Sequence, residues 1–359
     1  MSRRAFPRLL LLILLSGMLG CATTGPGVTR DELKASKEYY EVRAQRHIYR
    51  QYARVRAVGS RLLRALPEAE RPKKDQPEAG LTLDDLDLTT GRVFGIPWIE
   101  PAQEKESGKR PAGAKKRGCL IVGILPDGPA AHAGLQEGDL LLRVGKKETP
   151  TARAGIEAFK DLKPGQTVSL LLEREGTPFE RNLTAGTKPY PVSFDLADSE
   201  AVNAFASPGR IIVTSGLLRF VRSDDELAIV LSHELAHLTN GHYAKRMGTE
   251  VLAGVIGAAA GVAVDMAAPG AGRVISRITA SGVRAPFSQD FEREADYKGL
   301  TYAHRAGFEI DAGVDFWDRF ATELPRSLSQ SFFSTHPSSP ERLLRLEKTI
   351  EEIRSEKKG

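Results

Sequence analysis

The chain is poor in sulfur and histidine, and it has no apolar run long enough for a permanent membrane span. Of its 359 residues, two are cysteine and seven are histidine. Two cysteines, Cys21 and Cys119, cannot staple a chain of this length, and Cys119, in an apolar strand, reads as a small core residue. Leu9–Leu15 is too short to cross a bilayer. The Ala- and Gly-rich run Val251–Val264 would reach only about 21 Å as a helix, so it reads as a buried or membrane-touching hairpin. A large excess of one charge is also missing, with 51 Lys and Arg against 46 Asp and Glu for a net +5. Arg3, Arg4 and Arg8 belong to a segment read as removable, which leaves +2, and no nucleic-acid partner is implied.

A hydrophobic content of 41% with 27% charged residues is that of an ordinary globular protein, and the length suffices for two or three domains. Residues 1–20 have a basic start, an apolar centre and small residues before Cys21, the pattern of a signal peptide. Met18-Leu19-Gly20-Cys21 resembles a lipobox, which implies a lipidated Cys21 as mature amino terminus and leaves Cys119 without a disulfide partner. Ala22 after that cysteine resembles outer-membrane sorting, so the implied location is the cell envelope, on the periplasmic face of the outer membrane. Residues 21–80 read as a tether followed by a helix that starts at a Thr29/Glu32 capping box and ends at Pro67. Its part from Tyr39 to Tyr52 is a solvated or membrane-surface face, whereas Val55, Val58, Leu62, Leu63 and Leu66 have the spacing of a core-facing stripe.

The densest chemistry lies in Ser223–His242, which contains His233-Glu234-Leu235-Ala236-His237. Residues four apart share a helix face, so His233 and His237 can grip one metal ion while Glu234 reaches a water on it. With histidine this scarce, the string should arise by accident in roughly one such chain in a hundred. Ser223 and Glu226 form a capping box at the helix start, and Asn240-Gly241 reads as its stop or as a kink. Leu227, Val230, Leu231, Leu235 and Leu238 share a face on which Glu234 also lies, a costly place for a carboxylate unless a cation compensates it. His242 reads as structural.

Two resemblances set the domain plan. Gly118–Leu125, Pro129-Ala130-Ala131 and Ala133-Gly134-Leu135-Gln136-Glu137-Gly138-Asp139 resemble a PDZ domain of the bacterial protease type, covering residues 81–187. That resemblance implies capture of an extended peptide, with Val93, Phe94, Gly95 and Ile96 as the carboxylate-binding loop and Gly155–Leu162 as the flanking helix. The long basic insertion Ile99–Lys116 departs from the compact PDZ pattern. Residues 191–219 read strand, turn, strand around Pro208-Gly209. With the His233 helix, Asn203-Ala204-Phe205-Ala206 and Gly216-Leu217-Leu218 resemble the HtpX-like and CaaX prenyl protease group of zinc metallopeptidases. The implied fold is α+β: a mainly helical zincin-like domain at 188–355 with a small β-sheet, the Val55–Leu66 helix packed on it, and the PDZ unit inserted.

That second resemblance also completes a site. Glu292-Arg293-Glu294-Ala295-Asp296 matches the group's E-x-x-x-D motif, which implies Glu292 as third ligand of a single Zn2+ and Asp296 as the group orienting a ligating histidine. Glu294 reads as a surface residue. The resemblance puts His336 and Arg342 near the metal, where His336 either donates to the oxyanion or occupies the open zinc position, and Arg342 pairs with a carboxylate or the tetrahedral intermediate. Helix cap and surface ion pair are the bland alternatives for those two. Asn203–Ala206 would hold an extended substrate, and Glu234 would take a proton from the attacking water. The implied activity is a zinc endopeptidase acting on unfolded or misassembled envelope polypeptides. The alternative is a chaperone or assembly factor that uses the PDZ groove and keeps its zinc site closed. Neither composition nor motifs speak to the oligomeric state.

Overall fold

A computed structural model of the chain describes residues 26–72, 76–97, 118–207, 209–245, 275–276, 287–323, 336 and 340–356. The signal peptide 1–20, Cys21, the insertion 99–116, Pro208 and the run 251–264 lie outside the described residues. Two compact units, Met1–Glu41 and Val42–Gly359, divide the chain. Helix α1 (Arg30–Ala65) starts in the first, where the Thr29 amide donates to Glu32 Oε2 at 2.8 Å and the Glu32 amide donates to Thr29 Oγ1 at 3.2 Å.

Within the second unit, the later half of α1 supplies Val55, Val58, Leu62, Leu63 and Leu66 to one core with Phe194, Leu231 and Phe316. The approach is tight at Gly59, where an added Cβ would lie 2.4 Å from the Phe194 ring. No helix among the described residues is long and apolar enough to cross a membrane.

Residues 81–184 build a six-stranded antiparallel sheet with its own core of Leu83, Cys119, Ile121, Leu141, Leu170 and Leu172. Its strands are β2 (Leu81–Asp85), β3 (Cys119–Ile124), β4 (Leu140–Val144), β5 (Lys147–Glu148), β6 (Thr167–Arg174) and β7 (Thr177–Thr184). The order is β2-β3-β4-β6-β7 with β5 on β4, so β2 is an edge. Helices α2 (Leu88–Phe94), α3 (Pro129–His132) and α4 (Ala152–Lys160) flank it. Gly155 lets α4 lie flat: a Cβ there would sit 2.7 Å from both Cys119 Sγ and Leu83 Cδ1. A short ribbon of β1 (Gln76–Glu78) and β8 (Gly186–Lys188) brackets the sheet in sequence.

Val93–Ile96 have a different role from the expected carboxylate-binding loop. Asp87 and Thr90 exchange side-chain hydrogen bonds at 2.8 and 2.7 Å and start α2, so the run becomes the end of that helix. Gly95 takes a left-handed φ of 70° as its cap, the Ile96 amide donates to Gly91 O at 2.8 Å, and Val93 is buried against Tyr49. These amides serve the helix cap, so they do not form an open anion nest.

The second sheet has order β10-β11-β9-β12, from β9 (Ser193–Ala197), β10 (Ala204–Ser207), β11 (Arg210–Thr214) and β12 (Ile275–Ser276). β9 runs parallel to β11 and β12, while β10 forms an antiparallel hairpin with β11 through Gly209 at φ 80°. The expected second strand stops at Thr214, whose hydroxyl accepts the Leu217 amide at 3.2 Å and caps helix α5 (Ser215–Phe220). Helices α6 (Asp224–Thr239), α7 (Gln289–Arg305), α8 (Ala312–Glu323) and α9 (Pro340–Glu356) complete the unit.

Helix α6 is buried over the whole run Glu226–His237, beyond the single face its leucines suggested, because β10, β11, α7 and α8 all pack on it. Its first turn is fixed twice: Ser223 Oγ accepts the Glu226 amide at 3.1 Å, and the Glu226 carboxylate holds Arg319 of α8 at 2.7 Å.

Candidate metal centre

His233 and His237, one turn apart on α6, direct Nε2 atoms that lie 3.1 Å from each other. Helix α7 crosses α6 closely because Gly299 has no side chain; a Cβ there would lie 3.0 Å from the His233 backbone. The crossing brings Glu292, in the first turn of α7 after its Ser288 cap, against both imidazoles. Glu292 Oε2 is 3.5 Å from His233 Nε2, and Oε1 is 3.4 Å from His237 Nε2. His336, just before α9, places Nδ1 3.1 Å from His233 Nε2 and 2.8 Å from Glu292 Oε1. All four side chains are buried, and one donor atom from each falls within a 4.8 Å span.

Lone pairs this close repel unless a proton or a metal ion lies among them. A tetrahedral ion with bonds of about 2.0–2.1 Å would set its ligands about 3.3 Å apart, which matches the observed separations. The protonation states suit a cation too. Burial drives the His237 pKa well below its ordinary value, with His233 and His336 adding to the shift against the pull of Glu292. Burial also pushes the Glu292 carboxyl upward, but the three surrounding imidazoles override it and hold the group far below the usual carboxylate range. A neutral imidazole and an ionised carboxylate are the forms that bind a metal.

Glu234 is fully buried beside this cluster. Neither of its oxygens makes a hydrogen bond of good geometry; the Ala206 amide and His336 Nε2, at 3.2 Å, are polar groups that approach it. Burial raises its pKa to about 8, His233 opposes this, and the Glu292 charge adds to it. A carboxyl raised this far keeps its proton at neutral pH unless a nearby cation compensates the charge, and with that cation it becomes a proton acceptor.

Asp296, one turn beyond Glu292, sits 2.8 Å from His233 Nδ1 and receives Arg342 Nε and Nη2 at 2.7 Å each. Burial pushes its carboxyl upward, and Arg342 and His233 together hold it below its ordinary value. The Asp296 carboxylate thus lies within reach of the His233 ring nitrogen that faces away from the cluster. Arg342 pairs with a carboxylate, of the two partners expected for it. Its Nη1 also donates to the His336 carbonyl at 3.4 Å, and its guanidinium stacks 3.9 Å over Trp317. Of the expected strand residues, Ala204–Ala206 lie on β10, which pairs only with β11 among the described residues and so offers a free edge beside Glu234. Asn203 precedes β10 and takes the Thr214 amide on its carbonyl at 3.0 Å.

Sequence reasoning missed one side of the cluster. His242 Nδ1 lies 2.9 Å from His237 Nδ1, and its Nε2 is 3.2 Å from Glu294 Oε2, so Glu294 and His242 hold His237 as Asp296 holds His233. Phe287 stacks on His237 at 4.1 Å and Phe291 on His242 at 4.3 Å. The signal was available as a histidine five residues after His237 across Asn240-Gly241. Gly241 takes φ 65° and turns the chain back.

Residues 172–350 match Peptidase family M48. The mitochondrial metalloendopeptidase OMA1 of Schizosaccharomyces pombe is 34% identical over 152 residues, 42% of this chain and 44% of that protein. The beta-barrel assembly-enhancing protease of Yersinia pestis is 30% identical over 246 residues, 65% of this chain and 48% of that protein. The chain thus spans less than half the length of these two relatives. Among solved structures, the HtrA-type protease AlgW with decapeptide aligns with 33% of this chain and 31% of that chain at 23% identity and a TM-score of 0.27.

Proposed function

We propose that residues 172–350, which match Peptidase family M48, are a zinc metallopeptidase domain, and that the chain is an endopeptidase of the cell envelope acting on unfolded or misassembled polypeptides. The observation that carries this is the convergence of His233, His237 and Glu292 beside a buried Glu234 with no good hydrogen bond of its own. One zinc ion held by those three ligands would supply an activated water and polarise the scissile carbonyl. Glu234 takes the proton from the attacking water and returns it to the leaving nitrogen. The open edge of β10 holds the substrate backbone extended, so that a peptide bond lies over Glu234. Asp296 and Arg342 keep His233 in position. The envelope location rests on the signal and lipobox pattern, with Cys21 as membrane anchor. The substrate class rests on that pattern and on the likeness to the beta-barrel assembly-enhancing protease of Yersinia pestis.

In this reading residues 81–187 are a PDZ-like unit that captures or gates polypeptides. His336 favours a second reading as well: it sits where a fourth ligand would close the site, as in a non-proteolytic assembly factor. Cleavage of casein or of an unfolded outer-membrane protein by zinc-loaded protein decides between them. Glu234→Gln should lower the rate by at least about 10²-fold. Equal cleavage by both forms removes the mechanism, and no cleavage by either favours the closed-site reading.

A further inference from the structure

Between the end of α1 and β1 the chain makes a single 3-10 turn, Glu68–Glu70. Arg71 ties this turn to the helix it leaves, donating to Leu66 O from Nε at 3.1 Å and from Nη2 at 2.8 Å, and to Arg64 O at 3.0 Å. Glu68 and Ala69 face water, whereas the Glu70 side chain turns inward and is only 20% exposed. There it meets α7: the Tyr302 hydroxyl donates to Glu70 Oε2, and the Lys298 ammonium lies 3.3 Å from Oε1. The turn is one side of the neck of the 81–184 sheet unit, because β1 follows it and pairs with β8. The other side is close as well. Burial raises the pKa of Tyr190, just past β8, and the Glu70 charge adds to that rise.

Lys298 and Tyr302 have second partners, both in the last turn of α6. Lys298 Nζ donates to Asn240 Oδ1 at 2.5 Å, and the Tyr302 hydroxyl lies 3.0 Å from Thr239 Oγ1. Asn240 Nδ2 in turn donates at 2.8 Å to the carbonyl of Ala236, the residue before His237. Gly241 then turns the chain back at φ 65°, and His242 places Nδ1 2.9 Å from His237 Nδ1. Burial on all sides immobilises α6 up to His237, but Leu238 to Gly241 are only half-buried. Hydrogen bonds must hold what close packing does not. One run of polar contacts thus joins the neck to the metal helix, from Glu70 through Lys298 and Tyr302 to Thr239 and Asn240, and so to the turn that delivers His242.

We infer that Glu70 is a positioning residue for the metal centre: from the neck of the sheet unit it holds, through Lys298 and Tyr302, the turn that sets His242 against His237. Glu70 is the only carboxylate partner of Lys298 among the described residues. Without its charge the ammonium turns to water and leaves Asn240 Oδ1, because a long lysine stem lets its head reach solvent. His242 then loosens on His237, and a ligand whose outer partner is loose binds metal less well. Glu70 lies outside residues 172–350, so this support belongs to the way this chain attaches its sheet unit and not to the matched family span. The inference rests on the reading of His233, His237 and Glu292 as a metal site.

The test measures zinc affinity of the full chain by competition with a chromophoric chelator, and the visible absorption of the Co2+-loaded protein, which reports ligand geometry. Glu70→Gln keeps the shape of the side chain and removes its charge. It should alter the Co2+ spectrum and weaken zinc about threefold to tenfold, less than the roughly 10–100-fold that follows loss of a group touching a ligand. In a His242→Phe background the same substitution should change affinity by less than about twofold, because the group it acts through is gone. Arg305→Met frees the Ala65 carbonyl at the same meeting of α1 and α7 but leaves Lys298 and Tyr302 alone, so it should keep wild-type affinity and spectrum. Lys298→Met repeats both comparisons, and it decides them if thermal melts show that Glu70→Gln is unfolded. Wild-type affinity in the folded variants, an equal loss with and without His242, or the same loss in Arg305→Met would overturn the inference. Wild-type protein that binds no zinc would sink the metal-site reading and this one with it, whereas zinc binding untouched by Glu70→Gln sinks this inference alone.

Discussion

Gly299→Ala tests whether the metal site is set by the closeness of α6 and α7. A Cβ at this position would meet His233 Cα and N at 3.0 Å and Ser232 C at 3.2 Å, all backbone atoms that cannot rotate away. The helices must then separate by a few tenths of an ångström at the level of His233. Glu292 and Asp296 both sit on α7, so the shift moves one proposed ligand and the carboxylate that orients another. Overpacking costs about 1–3 kcal/mol, and replacing a helical glycine by alanine returns about 1 kcal/mol, so the net loss of stability should be about 0–2 kcal/mol. Metal–ligand distances tolerate only about 0.2 Å, so zinc affinity should fall more sharply, by about tenfold to a hundredfold. Gly313→Ala is the matched control: its Cβ would meet only Ile229 and Leu300 side chains at 3.5–3.6 Å, and it should be neutral or stabilising by up to about 1 kcal/mol. The assay is competition of apo-protein with a chromophoric zinc chelator, with thermal melts of the same samples. Wild-type affinity and melting temperature in Gly299→Ala would refute the idea that this crossing positions the ligands.

Asp296→Asn removes the charge shared by His233 and Arg342, and zinc affinity should drop about 10–100-fold by the same chelator competition; an unchanged affinity would show that His233 needs no such partner. His242→Phe keeps a ring between Phe287 and Phe291 but deletes the partner of His237 Nδ1, so affinity should fall with little change in melting temperature. Arg319→Met leaves Glu226 buried without its cation, which should cost about 3–5 kcal/mol in denaturant unfolding, and a loss below about 1 kcal/mol would mean that water reaches the pair.

These substitutions also separate what could be read along the chain from what could not. The capping residues Thr29 and Ser223 and the His233–His237 spacing are local, fixed by one helix turn, and each appears in the structure where its neighbours dictate. Glu292, Asp296, His336 and Arg342 reach the centre through long-range packing, so spacing alone could not place them and only motif resemblance pointed there. His242 falls between these cases, since its partner is five residues away yet the contact depends on Gly241 leaving the helical region of backbone space. Val93–Ile96 show the converse, a remote resemblance set against a local signal. Asp87 and Thr90 form a helix-starting box, and the box decides, because amides already bonded within a helix end are not free to hold a carboxylate.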